Sequence, residues 1–144
     1  MNITISSIYF SPVKSISFQQ ISKCQIKQSI GIINDRLFAF SRLLDIRKAQ
    51  SMEKDPSVRK LSNFLTLKNT PELNKYLFEY NKGKLELFKN KKSLISIDPN
   101  NLKETRLLEK EISNLINLVK SPIFLLKNKN KPFFDTNSGG EVMN

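Results

Sequence analysis

The chain has 144 residues, 39% hydrophobic and 26% charged, and its 24 lysines and arginines against 13 acids give a formal net charge of +11. A chain of this length makes one domain that can bury a core without disulfides or metals. The single cysteine allows no internal disulfide, and the absence of histidine excludes a Ser-His-Asp triad, a Cys-His pair and a histidine metal site.

Other signals narrow the reading further. There is no Walker loop and no G-x-G-x-x-G motif among the four glycines, and the acids are scattered singly, so autonomous catalysis is not expected. No apolar run approaches the roughly 18 residues of a membrane span. The opening MNITISSIYF alternates like a strand and lacks the layout of a signal peptide. A cytoplasmic protein with no membrane partner is the expectation.

In chain order, Ile8 and Phe10 share one side of a first strand, which Pro12 stops by removing a donor and holding Ser11 extended. Lys14 and Ser15 follow directly, either as polar capping of a strand exit or as an anion seat that needs a second partner. Residues 16–27 read as a second strand. A bulge near Gln19 and Gln20 reconciles its two halves, and Cys24 points inward as a small apolar residue. Gly31 and the pair Asn34-Asp35 form a turn. Arg36 then opens a strand with Phe38 and Phe40 on one face and Leu37 and Ala39 on the other. Its guanidinium is either held by Asp35 or open to a phosphate.

Residues 42–63 read as a long basic loop interrupted by Pro56, and 64–67 as a buried strand. Thr70, Pro71 and Glu72 start a short helical turn near 70–75. Strands at 76–80, 84–89 and 93–97 make a meander, with Gly83 in the first connection. The one long helix spans about 101–119, with Asn101 and Glu104 at capping-box spacing and an apolar stripe of Leu108, Ile112, Leu115, Ile116 and Val119. A short strand at 123–126 precedes a tail of different character, with Phe133, Phe134 and Asp135 followed by Ser138, Gly139 and Gly140.

The pairing of Pro12, Val13, Lys14 and Ser15 with Gly31, Asp35 and Arg36 and an aromatic strand resembles the N-terminal β-barrel domain of the MOSC family. This family comprises molybdenum-cofactor proteins that include the amidoxime-reducing enzymes. The Phe64-Leu65-Thr66-Leu67 segment, the turn at 69–73 and the hairpin after it extend the resemblance over residues 3–97. It implies a mainly β fold, an antiparallel barrel or strongly curved sheet of the MOSC N-terminal type, over residues 1–132. Residues 133–144 would be a linker, or the start of a core domain missing from this chain. By the same resemblance, Lys14, Ser15 and Arg36 hold the pterin phosphate of the molybdenum cofactor (molybdopterin) of an oxidoreductase. Relatives often read Tyr-Pro before Val-Lys-Ser, whereas here Phe10, Ser11 and Pro12 bring in an extra serine.

The family binds the metal through a cysteine of its C-terminal core domain, and Cys24 stands elsewhere. The resemblance therefore implies that this chain alone does not retain the cofactor. Its implied partners are a MOSC core domain, or a chain supplying one, and an electron-transfer protein. Two alternatives stand beside it: a small basic β-barrel that binds nucleic acid or another polyanion, and a truncated, inactive fragment. The lysines are dispersed among asparagines and isoleucines, and the densest group, at 127–131, reads as a solvated loop. Without aromatics gathered among the charges, nucleic acid is the less expected ligand.

Overall fold

The computed structural model describes residues 3–117 and 121–134. It is mainly β, built of small antiparallel sheets with two helices. Strands β1 (Ile8–Phe10) and β2 (Gln19–Ile21) pair, as do β3 (Ile26–Lys27) and β4 (Gly31–Ile32). Strand β5 (Phe38–Ser41) is followed by helix α1 (Ile46–Lys54) and three 3-10 turns, Pro56–Val58, Leu61–Asn63 and Pro71–Lys75. The meander of β6 (Tyr76–Asn81), β7 (Lys84–Lys89) and β8 (Lys92–Ile97) leads to helix α2 (Leu102–Leu115). Strand β9 (Phe124–Lys127) then returns to lie antiparallel to β5, with Phe38 opposite Lys127 and Ser41 opposite Phe124.

Strand β5 organises the core because all four of its residues are buried. Phe38 and Phe40 pack with the meander and α2, meeting Tyr80 edge-on at 5.1 Å and Phe78 at 5.8 Å between ring centroids. Ala39 joins a second cluster with Ala49 and Met52 of α1, Phe64 and Phe133. This alternation is the one expected for the strand, except at Leu37. That residue precedes the ladder and packs with Phe38. Helix α2 starts as its capping residues require. The Asn101 carboxamide oxygen accepts from Lys103 and Glu104 N–H, and Glu104 reaches back to the Asp98 N–H at 2.6 Å. Burial of Leu108 and Ile112 contributes about 1.5–3 kcal/mol each.

Several expectations are corrected. No closed barrel occurs among the described residues, because the four sheets stay separate. Ser15, Ser17, Ser29, Asn34 and Arg36 all have positive φ, so the chain turns too often in 11–37 for long ladders to form. The segment 16–27 is accordingly two short strands in different sheets rather than one bulged strand. Cys24 lies half-buried in the connection between them, not inside a strand. The segment 42–63 is not a structureless loop: Asp45 caps α1 by accepting from the Lys48 N–H, and Pro56 falls beyond the helix end. Residues 64–67 make only a single bridge, Phe64 to Ser41, and Leu67 is exposed. The turn at Pro71–Lys75 has Pro71 and Glu72 at its start, but Thr70 gives it no side-chain cap. Helix α2 ends at Leu115, earlier than the sequence pattern suggests, with Asn117 at positive φ. Val119 and the tail from 135 lie outside the described residues.

Candidate functional site

Pro12 ends β1, and the chain then runs alongside the entrance to β5. The Arg36 N–H donates to Ser11 O at 2.6 Å, Phe38 N–H to Pro12 O at 2.9 Å and Lys14 N–H to Phe38 O at 2.8 Å. A parallel bridge joins Val13 and Phe38. The buried Asp35 carboxylate ties the two stretches together, accepting from the Ser11 N–H with one oxygen and from Arg36 Nη1 with the other. Ser11 Oγ closes its own turn by donating to Val13 O and Ile16 O at 2.7 and 2.8 Å.

This lattice brings Lys14, Ser15 and Arg36 to a single concavity of about 260 Å³, whose wall also includes Phe18, Leu61, Thr66, Leu67 and Lys68. All three residues singled out by the sequence therefore share one hollow. Their environments differ. Lys14 is 2% exposed, with its ammonium 3.3 Å from Phe133 O and 5.6 Å from the Phe64 ring centroid. Ser15 is half-buried at φ 60°, and Arg36 keeps 23% of its side-chain surface exposed. The Arg36 guanidinium lies over Phe18 at 5.2 Å and over Phe134 at 5.4 Å. Of the two roles the sequence left open for Arg36, the pairing with Asp35 is realised. Its remaining N–H groups make no hydrogen bond with a described residue. Two cations and a hydroxyl lining one hollow suit an anion, with the Asp35 carboxylate offsetting part of the Arg36 charge.

Sequence reasoning missed the segment that backs this site. The Phe133 N–H donates to Arg36 O at 2.9 Å, so residues 132–134 run across both cations. Arg59 anchors the segment. Its Nε, Nη2 and Nη1 donate to Met52 O, Glu53 O and Pro132 O at 2.8, 3.2 and 3.0 Å, and its guanidinium sits 4.2 Å from the Phe133 ring centroid. Two of those carbonyls belong to the last turn of α1, where a cation complements the helix dipole. Burial pushes the Arg59 pKa down to about 10. The lysine and threonine of the turn after Phe64 were also missed as site residues. Their only sequence signal was the turn composition Lys-Asn-Thr-Pro at 68–71.

A larger and more open hollow of about 410 Å³ is lined by Glu53, Lys54, Pro99, Leu125, Lys127, Asn128 and Lys129. It carries three lysines but also Glu53 and the carboxyl end of α1, which oppose an anion, and none of Lys14, Ser15 and Arg36 lines it. Among the described residues no group of three or more cysteines and acids is placed to hold a metal ion. None of the described helices is long and apolar enough to cross a membrane. The chain matches no protein-family profile, no curated protein and no solved structure.

Proposed function

We propose that this chain is the phosphate-holding N-terminal part of a MOSC-type molybdenum-cofactor oxidoreductase, with Lys14, Ser15 and Arg36 receiving the phosphate of the molybdopterin. The observation that carries the reading is the convergence of these three residues, from stretches more than twenty positions apart, on one concavity. The donor set fits the group: a phosphate monoester needs strong cationic donors and a hydroxyl, and a guanidinium is well shaped for it. Arg36 enters with its orientation already set by Asp35, which reduces the ordering cost of binding.

In this reading the small sheets are an open variant of the family's curved N-terminal β domain. The metal-binding thiolate comes from a core domain, in the same polypeptide or in a partner chain. The assembled protein works in the cytoplasm and takes electrons from a redox protein. When bound, the cofactor supplies the redox chemistry, and the residues of this chain bind and orient its phosphate.

The test is a fluorescence titration of the chain with a pterin carrying a phosphate ester and with the same pterin lacking it. Loss of one charge-assisted hydrogen bond corresponds to about ten- to a hundredfold in affinity. The phosphorylated pterin is therefore expected to bind at least about tenfold more tightly. Equal affinities would refute the reading. An affinity that follows the net charge of surface variants, whichever lysine is removed, would favour a polyanion-binding module instead.

A further inference from the structure

The hollow has a second side, bearing one further lysine, that the phosphate reading does not use. Lys14, Ser15 and Arg36 come from the β1 exit and the β5 entrance, whereas Thr66, Leu67 and Lys68 come from the turn that follows Phe64. That turn is rigidly built. Thr70 N–H donates to Thr66 O at 2.8 Å, and the Asn69 side chain fastens both ends. Its oxygen accepts from Thr66 N–H at 3.0 Å and from Thr70 Oγ1 at 2.9 Å, while its nitrogen donates to Phe64 O at 2.9 Å. Phe64 is itself fixed in the core against Phe133.

Lys68 stands on the crest of this turn. It is exposed, and its ammonium makes no ion pair with a described residue. The charges are thus layered. Lys14 is buried, Arg36 is partly exposed and Lys68 is exposed, and the exposed Leu61, Leu67 and Phe18 line the same hollow. A monophosphate seated on Lys14, Ser15 and Arg36 leaves the charge of Lys68 unmet on the side of the same hollow. A second anionic group beside the first gains the attraction of that ammonium.

We infer that Lys68 is a further binding residue of this hollow, and that the site prefers ligands bearing a second anionic group next to the first, of the diphosphate class, over simple monophosphates. This inference rests on the phosphate reading of Lys14, Ser15 and Arg36 and adds the ligand class.

The experiment is calorimetric titration of the chain with pyrophosphate and with orthophosphate at fixed ionic strength, for the parent, Lys68→Ala and Lys110→Ala. Lys110 is an exposed lysine of α2, so its replacement makes the same change in net charge away from the hollow. The parent is expected to bind pyrophosphate about tenfold more tightly than orthophosphate. Lys68→Ala should abolish that preference and leave orthophosphate binding unchanged, whereas Lys110→Ala should behave as the parent. If Lys68→Ala keeps the preference, or Lys110→Ala loses it equally, the inference is overturned while the phosphate site stands. If orthophosphate binds without any preference in the parent, the inference likewise fails alone. If neither anion binds, the phosphate reading fails and takes this one with it.

Discussion

Asp35 holds Ser11 across 24 positions of sequence, its carboxylate oxygen accepting the serine N–H at 2.9 Å while the other oxygen binds Arg36. Asp35 is buried, so removing the acceptor strands a donor away from water. Asp35→Ala is expected to destabilise the fold by about 1–3 kcal/mol. Asp35→Asn, which can keep the oxygen facing Ser11, should cost less. Urea unfolding measures both. If both variants stay within about 0.5 kcal/mol of the parent, as ordinary surface substitutions do, the bond does not hold the two stretches together.

Arg59 makes a separate prediction about the segment behind the site. Replacing it by methionine keeps much of the volume but leaves three carbonyls, of Met52, Glu53 and Pro132, without their charged donor. A loss of about 1.5–3 kcal/mol or more is expected, together with faster hydrogen exchange at the Phe133 amide, which donates to Arg36 O. Unchanged exchange at Phe133 would show that the segment is held by its aromatic packing alone.

Glu109 gives a pH dependence with a definite sign. It is buried between α2 and β9, where it accepts from Leu125 N–H and from Arg106 Nη1, both at 2.9 Å. Burial raises its pKa above the ordinary 4.5 more than those partners lower it. The folded state therefore holds this proton more tightly than the unfolded state. Its contribution is complete below about pH 4.5 and is lost as pH rises through the raised value. Urea unfolding should show the parent losing stability on this side, and Glu109→Gln should flatten the slope. Asp55 and Asp98, lowered mainly by hydrogen bonds from Ser57 and Asn100, act the other way and only as pH falls below their ordinary 3.8. Parallel pH profiles for the parent and Glu109→Gln would contradict the assignment.

The parts of the fold legible in the sequence were those fixed by local chemistry. The Asn101 cap with Glu104, the turn at Asn34 and Asp35 and the meander from Tyr76 to Ile97 each carry their signal within a few residues. Helix α1 was not read because it buries only Ala49 and Met52, too few for an apolar stripe, and because Pro56 looked like an interruption when it lies past the end. The pairing of β5 with β9 joins stretches over eighty positions apart, which no local pattern encodes. The same limit hid half of the site. Lys14, Ser15 and Arg36 were readable from motif and turn, but the approach of Lys68 and of the 132–134 segment depends on the packing of Phe64 against Phe133.

In the phosphate reading Arg36 contributes the planar fork of its guanidinium as well as its charge. Titration of the phosphorylated pterin against Arg36→Lys measures this most directly, since net charge is conserved and only the donor geometry changes. The account predicts a loss of about ten- to a hundredfold in affinity for the phosphorylated pterin and no change for the unphosphorylated one. Unchanged affinity for the phosphorylated pterin would contradict it and leave Arg36 as a partner of Asp35 alone.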